Sequence, residues 1–158
     1  MECLGIDFGR VIQGAPGPDG TADTVFLGAS LAEAIESPAT PGAFEVLPDL
    51  IARFEGRAWI ISKCGENTER KTRAWLDHHA FYDRTGLPRG HVRFCRQRAD
   101  KAVVCAELGI THMIDDRLDV HRALHDVVPH RYLFGPQEEI PDWVVHTPDW
   151  DAVAALVR

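Results

Sequence analysis

Apolar residues along this chain come in short blocks, and their spacing changes from block to block. Cys3, Leu4, Gly5 and Ile6 form a brief continuous run, and Ala58 to Ile61 form another. Runs this short, bounded by turn residues, read as strands buried on both faces. Residues 91–95 alternate polar and apolar, and 111–114 and 131–134 are further short strand-like blocks. Elsewhere the period lengthens. Phe44, Leu47, Leu50, Ile51 and Phe54 recur at helical spacing up to Gly56, with Pro48 either kinking that helix or marking its start. Further helices are predicted over 30–36, 66–79, 100–108, 118–126 and 149–157. Residues 13–24, QGAPGPDGTADT, concentrate Gly, Pro and Asp and read as a loop or loose hairpin, with 25–27 as a returning strand.

Strands alternating with helices at this spacing predict one three-layer α/β domain over 1–158, built on a parallel sheet. Ligands of such sheets bind beyond the carboxyl ends of the strands, where the strand order switches direction. Asp7, Ser62 and the Asp115-Asp116 pair each stand at a predicted strand end, and Lys101 opens the helix after the third strand.

Composition narrows the function classes. A length of 158 residues suits one full core. The net charge of −7, with no basic run, argues against binding a nucleic-acid backbone. An acidic chain still accommodates a phosphorylated small molecule where local positive charge or a metal offsets the field. The four cysteines form no C-x-x-C pair and read as buried free thiols in a reducing cytoplasm. No basic-then-apolar leader pattern and no apolar run of membrane-spanning length appears, so a cytoplasmic, membrane-free protein is expected.

The candidate residues carry a coherent chemistry. A carboxylate at a strand end is a competent nucleophile toward phosphorus when a divalent cation neutralises the phosphoryl charge. Mg²⁺ takes oxygen ligands and few protein carboxylates, and Asp7 with one or both of Asp115 and Asp116 supplies them. Ser62 can donate to a phosphoryl oxygen, and Lys101 offers a fixed positive charge to an anionic transition state. Plainer readings exist for each. Asp7 can form a turn before Gly9, Ser62 and the Asp115-Asp116 pair can cap the helices that follow them, and Lys101 can be a solvated helix residue. Asp119 reads as a first-turn helix charge. His121 and His125, four apart without a third ligand nearby, read as a surface pair. His78 and His79 read as charges compensating a helix C-terminus, and Cys64 as a bystander. Arg10 is a candidate contact to a substrate anion.

In order, LGIDFG, WIISKCG, the lysine of ADKAVV and HMIDDRLD resemble the four motifs of the haloacid dehalogenase-like (HAD) hydrolase superfamily. PGAFEVL, WIISKCGENTERKTRAWL and RADKAVVCAELGITHMIDDR bring the small 5′(3′)-deoxyribonucleotidases closest within it. The resemblance implies a Rossmann-like sheet whose five strands, numbered along the chain, lie in the order 5-4-1-2-3. It implies Asp7 as nucleophile, Ser62, Lys63 and Lys101 around the phosphate, and Mg²⁺ held by Asp7, the Gly9 carbonyl, Asp115 and Asp116. The substrate implied is small and phosphorylated, with a nucleotide-like compound as one candidate. Segment 13–40 is long enough for a flap or minimal cap, not a full one, so the site is open or closed by a second copy in a homodimer.

The departure from the family pattern is Gly9. In phosphatases of this superfamily that position holds a second Asp, which protonates the leaving oxygen and then activates water. Three readings follow. The chain is a phosphohydrolase with a good leaving group or a recruited acid, for which Glu66 and His78 are candidates. Alternatively it performs other chemistry, as the dehalogenase and phosphonate-cleaving branches do, though the Asp-Asp pair argues against dehalogenation. Or it is a weak or inactive member that binds a phosphorylated ligand or a protein partner.

Overall fold

The computed structural model describes residues 1–14, 26 and 28–158. Strand β1 (Leu4–Ile6) is followed by helices α1 (Leu31–Ile35) and α2 (Ala43–Arg53), then strand β2 (Ala58–Lys63). Helices α3 (Glu66–His78) and α4 (Phe81–Thr85) lead to β3 (Val92–Cys95). Helix α5 (Asp100–Leu108), β4 (His112–Asp115), α6 (Leu118–Ala123), β5 (His130–Phe134), β6 (Val145–Thr147) and α7 (Trp150–Leu156) complete the chain.

All six strands are parallel, in the order β3-β2-β1-β4-β5-β6. This is the predicted five-strand order with β6 added beyond β5. The sixth strand escaped prediction because its three residues, Val-His-Thr, show too short a pattern to separate from a loop. Helix α4 was also not foreseen, since Gly86 follows so closely. The expected strand over 25–27 lies outside the described residues except for Phe26, and residues 15–24 of the expected flap also lie outside them.

Strand residues alternate between two apolar layers. Ile6, Ile60 and Ile114 pack with Leu47, Leu50 and Ile51 of α2, Trp75 and Leu76 of α3, and Trp150 of α7. Ile61 and Met113 face the other way, onto Val104 and Cys105 of α5 and Val120 of α6. Three layers follow from that alternation, because each face of the sheet must be covered by helices. Gly5 belongs to the second face. A Cβ there would lie 2.6 Å from the Met113 sulfur, so glycine leaves the room that the Met113 side chain fills on this face.

Helix α2 runs through Pro48, which therefore does not mark its start. The start is set by Gly42, whose φ of 88° needs glycine. Helices α1 and α7 begin on side-chain caps, with Ser30 accepting from the Glu33 N–H and Asp149 from the Ala152 N–H.

The chain runs from β1 outward to β2 and β3, then returns across the sheet to β4 beside β1. The order therefore switches between β1 and β4. An aspartate stands at each strand end there, Asp7 directly after β1 and Asp115 as the last residue of β4.

Candidate active site

Asp7 follows β1 and Asp115 ends β4, and the parallel register pairs Ile6 with Ile114 immediately before them. Lys101, in the first turn of α5, reaches between the two carboxylates. Its Nζ donates to Asp7 Oδ1 at 3.0 Å and to Asp115 Oδ2 at 2.7 Å. All three groups are buried, Lys101 to 2% exposure and Asp115 completely.

The electrostatics follow from that crowding. Burial and the neighbouring Asp115 charge push the Asp7 carboxyl up to about 6, against the pull of Lys101. Burial pulls the Lys101 ammonium down, but Asp115 and Asp7 together carry it above the ordinary lysine range. Lys101 is thus a permanent cation shared by two anions.

Asp115 is occupied on both oxygens. One accepts from Lys101 and the other from the Arg117 backbone N–H at 3.0 Å. Its carbonyl accepts from His121 Nε2 at 3.0 Å. His121 is completely buried, so it is not half of a surface pair with exposed His125. It braces the peptide that joins the two acids, and burial lowers its pKa.

Asp7 and Lys101 of this triad open onto a cavity of about 280 Å³. Asp7, Gly9, Ser62, Lys63, Lys101 and Asp116 all line it, while Asp115 stands behind the wall. All the predicted site residues thus converge, with Asp116 rather than Asp115 on the cavity side. Gln13, Thr68, Thr72, Arg98 and Arg117 also line it. Sequence reading missed these five because none stands at a strand end or in a spacing that marks chemistry. Asp119 lies in the first turn of α6, as expected, and pairs with both Arg98 and Arg117.

Neither recruited acid reaches the cavity. Glu66 is exposed at the start of α3, and His78 stands in the last turn of that helix, 3.6 Å from Glu36. His79 caps α3, stacks on Trp75 and bonds to the Ile35 carbonyl. Burial lowers its pKa, which weakens the expected charge compensation. Cys64 is close by, but burial pushes its thiol up to about 11, which makes it a poor nucleophile.

The question of a metal can be put to the donor set. Asp7, Asp115 and Asp116 offer oxygens within 4.8 Å of one another. Among the described residues, no imidazole or thiolate shares that cluster. An all-oxygen anionic set fits Mg²⁺ better than zinc or copper.

The region around Gly9 also explains why a glycine can stand there. Between Asp7 and Gln13 the positive φ falls on Arg10, at 64°, and not on Gly9. The backbone therefore does not demand glycine at position 9. What the residue omits is a side chain.

No protein-family model and no curated protein matches the sequence. Among solved structures, the chain is similar to D,D-heptose 1,7-bisphosphate phosphatase from Burkholderia thailandensis. The TM-score is 0.57 at 13% identity, over 98% of this chain and 97% of that one. The likeness is one of fold, and it extends over nearly the full length of both chains.

Proposed function

We propose that this protein is a HAD-type phosphohydrolase acting on a small phosphorylated substrate through a phosphoryl-enzyme intermediate on Asp7. The observation that carries this reading is the buried Asp7–Lys101–Asp115 triad at the switch point of a parallel sheet, opening onto a cavity with Ser62 and Asp116. The fold shared with a heptose bisphosphate phosphatase is consistent with it.

In this reading Asp7 attacks phosphorus, the bond to the leaving oxygen breaks, and that oxygen departs with the electron pair. Water then attacks the same phosphorus. The bond to Asp7 breaks, the carboxylate is restored, and the water proton leaves with the phosphate. Lys101 orients the Asp7 carboxylate and opposes the growing negative charge, and Ser62 and Lys63 hold phosphoryl oxygens. Asp7, Asp116 and the Gly9 carbonyl, with Asp115 behind them, would hold Mg²⁺, which supplies charge neutralisation of the phosphoryl group.

Asp7 and Asp116 are the only carboxylates among the described lining residues, and no histidine joins them. With no further acid among the described lining residues, the leaving oxygen departs as an anion. That restricts efficient turnover to substrates with acidic leaving groups, such as acyl, aryl or anhydride phosphates. The same observation favours a second reading, a catalytically weak member that binds a phosphorylated ligand.

The test is Mg²⁺-dependent phosphate release from p-nitrophenyl phosphate, by the native chain and by Asp7→Asn. Turnover that disappears in Asp7→Asn is expected. Absence of turnover on aryl, acyl and anhydride phosphates, with phosphate binding retained, would establish the binding reading instead.

A further inference from the structure

We infer that Gln13 positions the attacking water in the space beside Gly9, and that it does so without accepting the proton. This rests on the function proposed above and assigns a positioning residue to its second step.

The backbone places Gln13 next to the missing carboxylate. Gly9 and Gln13 pair as an isolated bridge, and Gln13 pairs on its other side with Ala39. The Arg10 N–H donates to the Gln13 carbonyl at 2.8 Å, and the Gln13 N–H donates to the Phe8 carbonyl at 3.1 Å. The loop after β1 thus doubles back, so that residue 13 flanks residue 9. Gln13 is 2% exposed and lines the same cavity as Asp7 and Gly9.

The amide is also oriented. Its Nε2 lies 3.1 Å from Ser37 Oγ, and the Ser37 hydroxyl donates to the Ala34 carbonyl at 2.6 Å. A hydroxyl has one hydrogen, so toward Gln13 the serine can only accept. Nε2 must therefore be the end that faces Ser37, and Oε1 remains as the acceptor edge of a side chain held in place. A fixed acceptor of this kind orients a water by taking a hydrogen bond from it. An amide oxygen is too weakly basic to remove the proton, so Gln13 supplies alignment without base catalysis.

The chemistry distinguishes the two half-reactions. Formation of the Asp7 phosphoenzyme expels the leaving oxygen and needs no water. Its breakdown needs a water in line with the Asp7–phosphorus bond. Gln13 acts on breakdown alone.

Rapid-quench measurement of phosphoenzyme formation and decay, on the full chain with Mg²⁺ and p-nitrophenyl phosphate, separates the steps. Gln13→Ala is expected to slow decay roughly 10–100-fold, as misplacement of a reacting group does, with formation within about twofold of native. Gln13→Glu places a true base at the same point. Its decay rate is expected to match or exceed the native rate at neutral pH and to fall with pH as the added carboxyl protonates. Equal slowing of both steps in Gln13→Ala, or unchanged decay, overturns the inference. Should Gln13→Ala fail to fold, Gln13→Glu decides, and a decay rate without the new pH dependence overturns it. A native chain with no Asp7-dependent turnover removes the proposed function itself, and this inference with it. Asp7-dependent turnover that is indifferent to residue 13 removes only the inference.

Discussion

Replacing Lys101 by methionine isolates the electrostatics of the buried triad. The substitution keeps the aliphatic stem and removes the one cation between Asp7 and Asp115, held at 3.0 and 2.7 Å. Two carboxylates are then left facing each other in a site that is closed to water on the Asp115 side. Removing one partner of a buried ion pair costs about 3–5 kcal/mol. For a domain of this size that is a fall in Tm of roughly 6–20 °C. The pH dependence follows from Asp7, whose carboxyl is raised from 3.8 to about 6 even with Lys101 present. A group whose folded pKa is raised contributes most favourably below its unfolded value, and that contribution is lost as pH rises through its folded value. Without the lysine the opposing attraction is gone, so the carboxyl rises further and the window shifts upward. The deficit of Lys101→Met relative to native is therefore expected to be smaller near pH 5 than near pH 7.5. Thermal unfolding followed by circular dichroism at both pH values measures it. Added Mg²⁺ should raise the Tm of the variant more than that of the native chain, by restoring positive charge among the carboxylates. A deficit below about 1 kcal/mol at neutral pH, or one equal at both pH values, would refute the view that Lys101 is the necessary counter-charge.

Two further outcomes are expected. Gly9→Asp restores a carboxylate at a position whose φ does not require glycine, and should raise alkyl phosphate turnover by up to about 10²–10⁴-fold, the usual worth of positioned proton transfer. A folded Gly9→Asp variant with no gain would count against the missing-acid argument. Cys64, with its thiol pushed up to about 11, should leave phosphate release intact after iodoacetamide treatment near pH 7.5. Rapid inactivation at that pH, traced to Cys64 by peptide mapping, would show a more reactive thiol than its burial allows.

Much of the site was legible in sequence because parallel α/β folds put chemistry at strand ends, and strand ends are visible as breaks in apolar runs. Asp7, Ser62, Asp115 and Asp116 were found that way, and Lys101 by its place at a helix start. Gln13 was hidden inside a Gly-rich segment with no period. Only the chain's return past Gly9 gives it a place in the cavity. His121 was misread as a surface residue because its spacing from His125 resembles an exposed i, i+4 pair, while the short helix α6 turns it beneath Asp115.

The sequence by itself determined the three-layer class and the placement of the charged residues at strand ends, while the order of the five main strands was implied only by the resemblance to the HAD superfamily. Local periodicity and strand-end placement carry the class and that placement without reference to distant contacts. Tertiary structure decided which of the adjacent acids faces the cavity, how Lys101 is shared between two anions, and where β6 joins the edge. It also decided that the left-handed backbone conformation falls on Arg10, which leaves Gly9 a matter of side-chain chemistry. These depend on burial and on contacts between residues far apart in the chain, such as Asp7 and Lys101, and no local pattern encodes them.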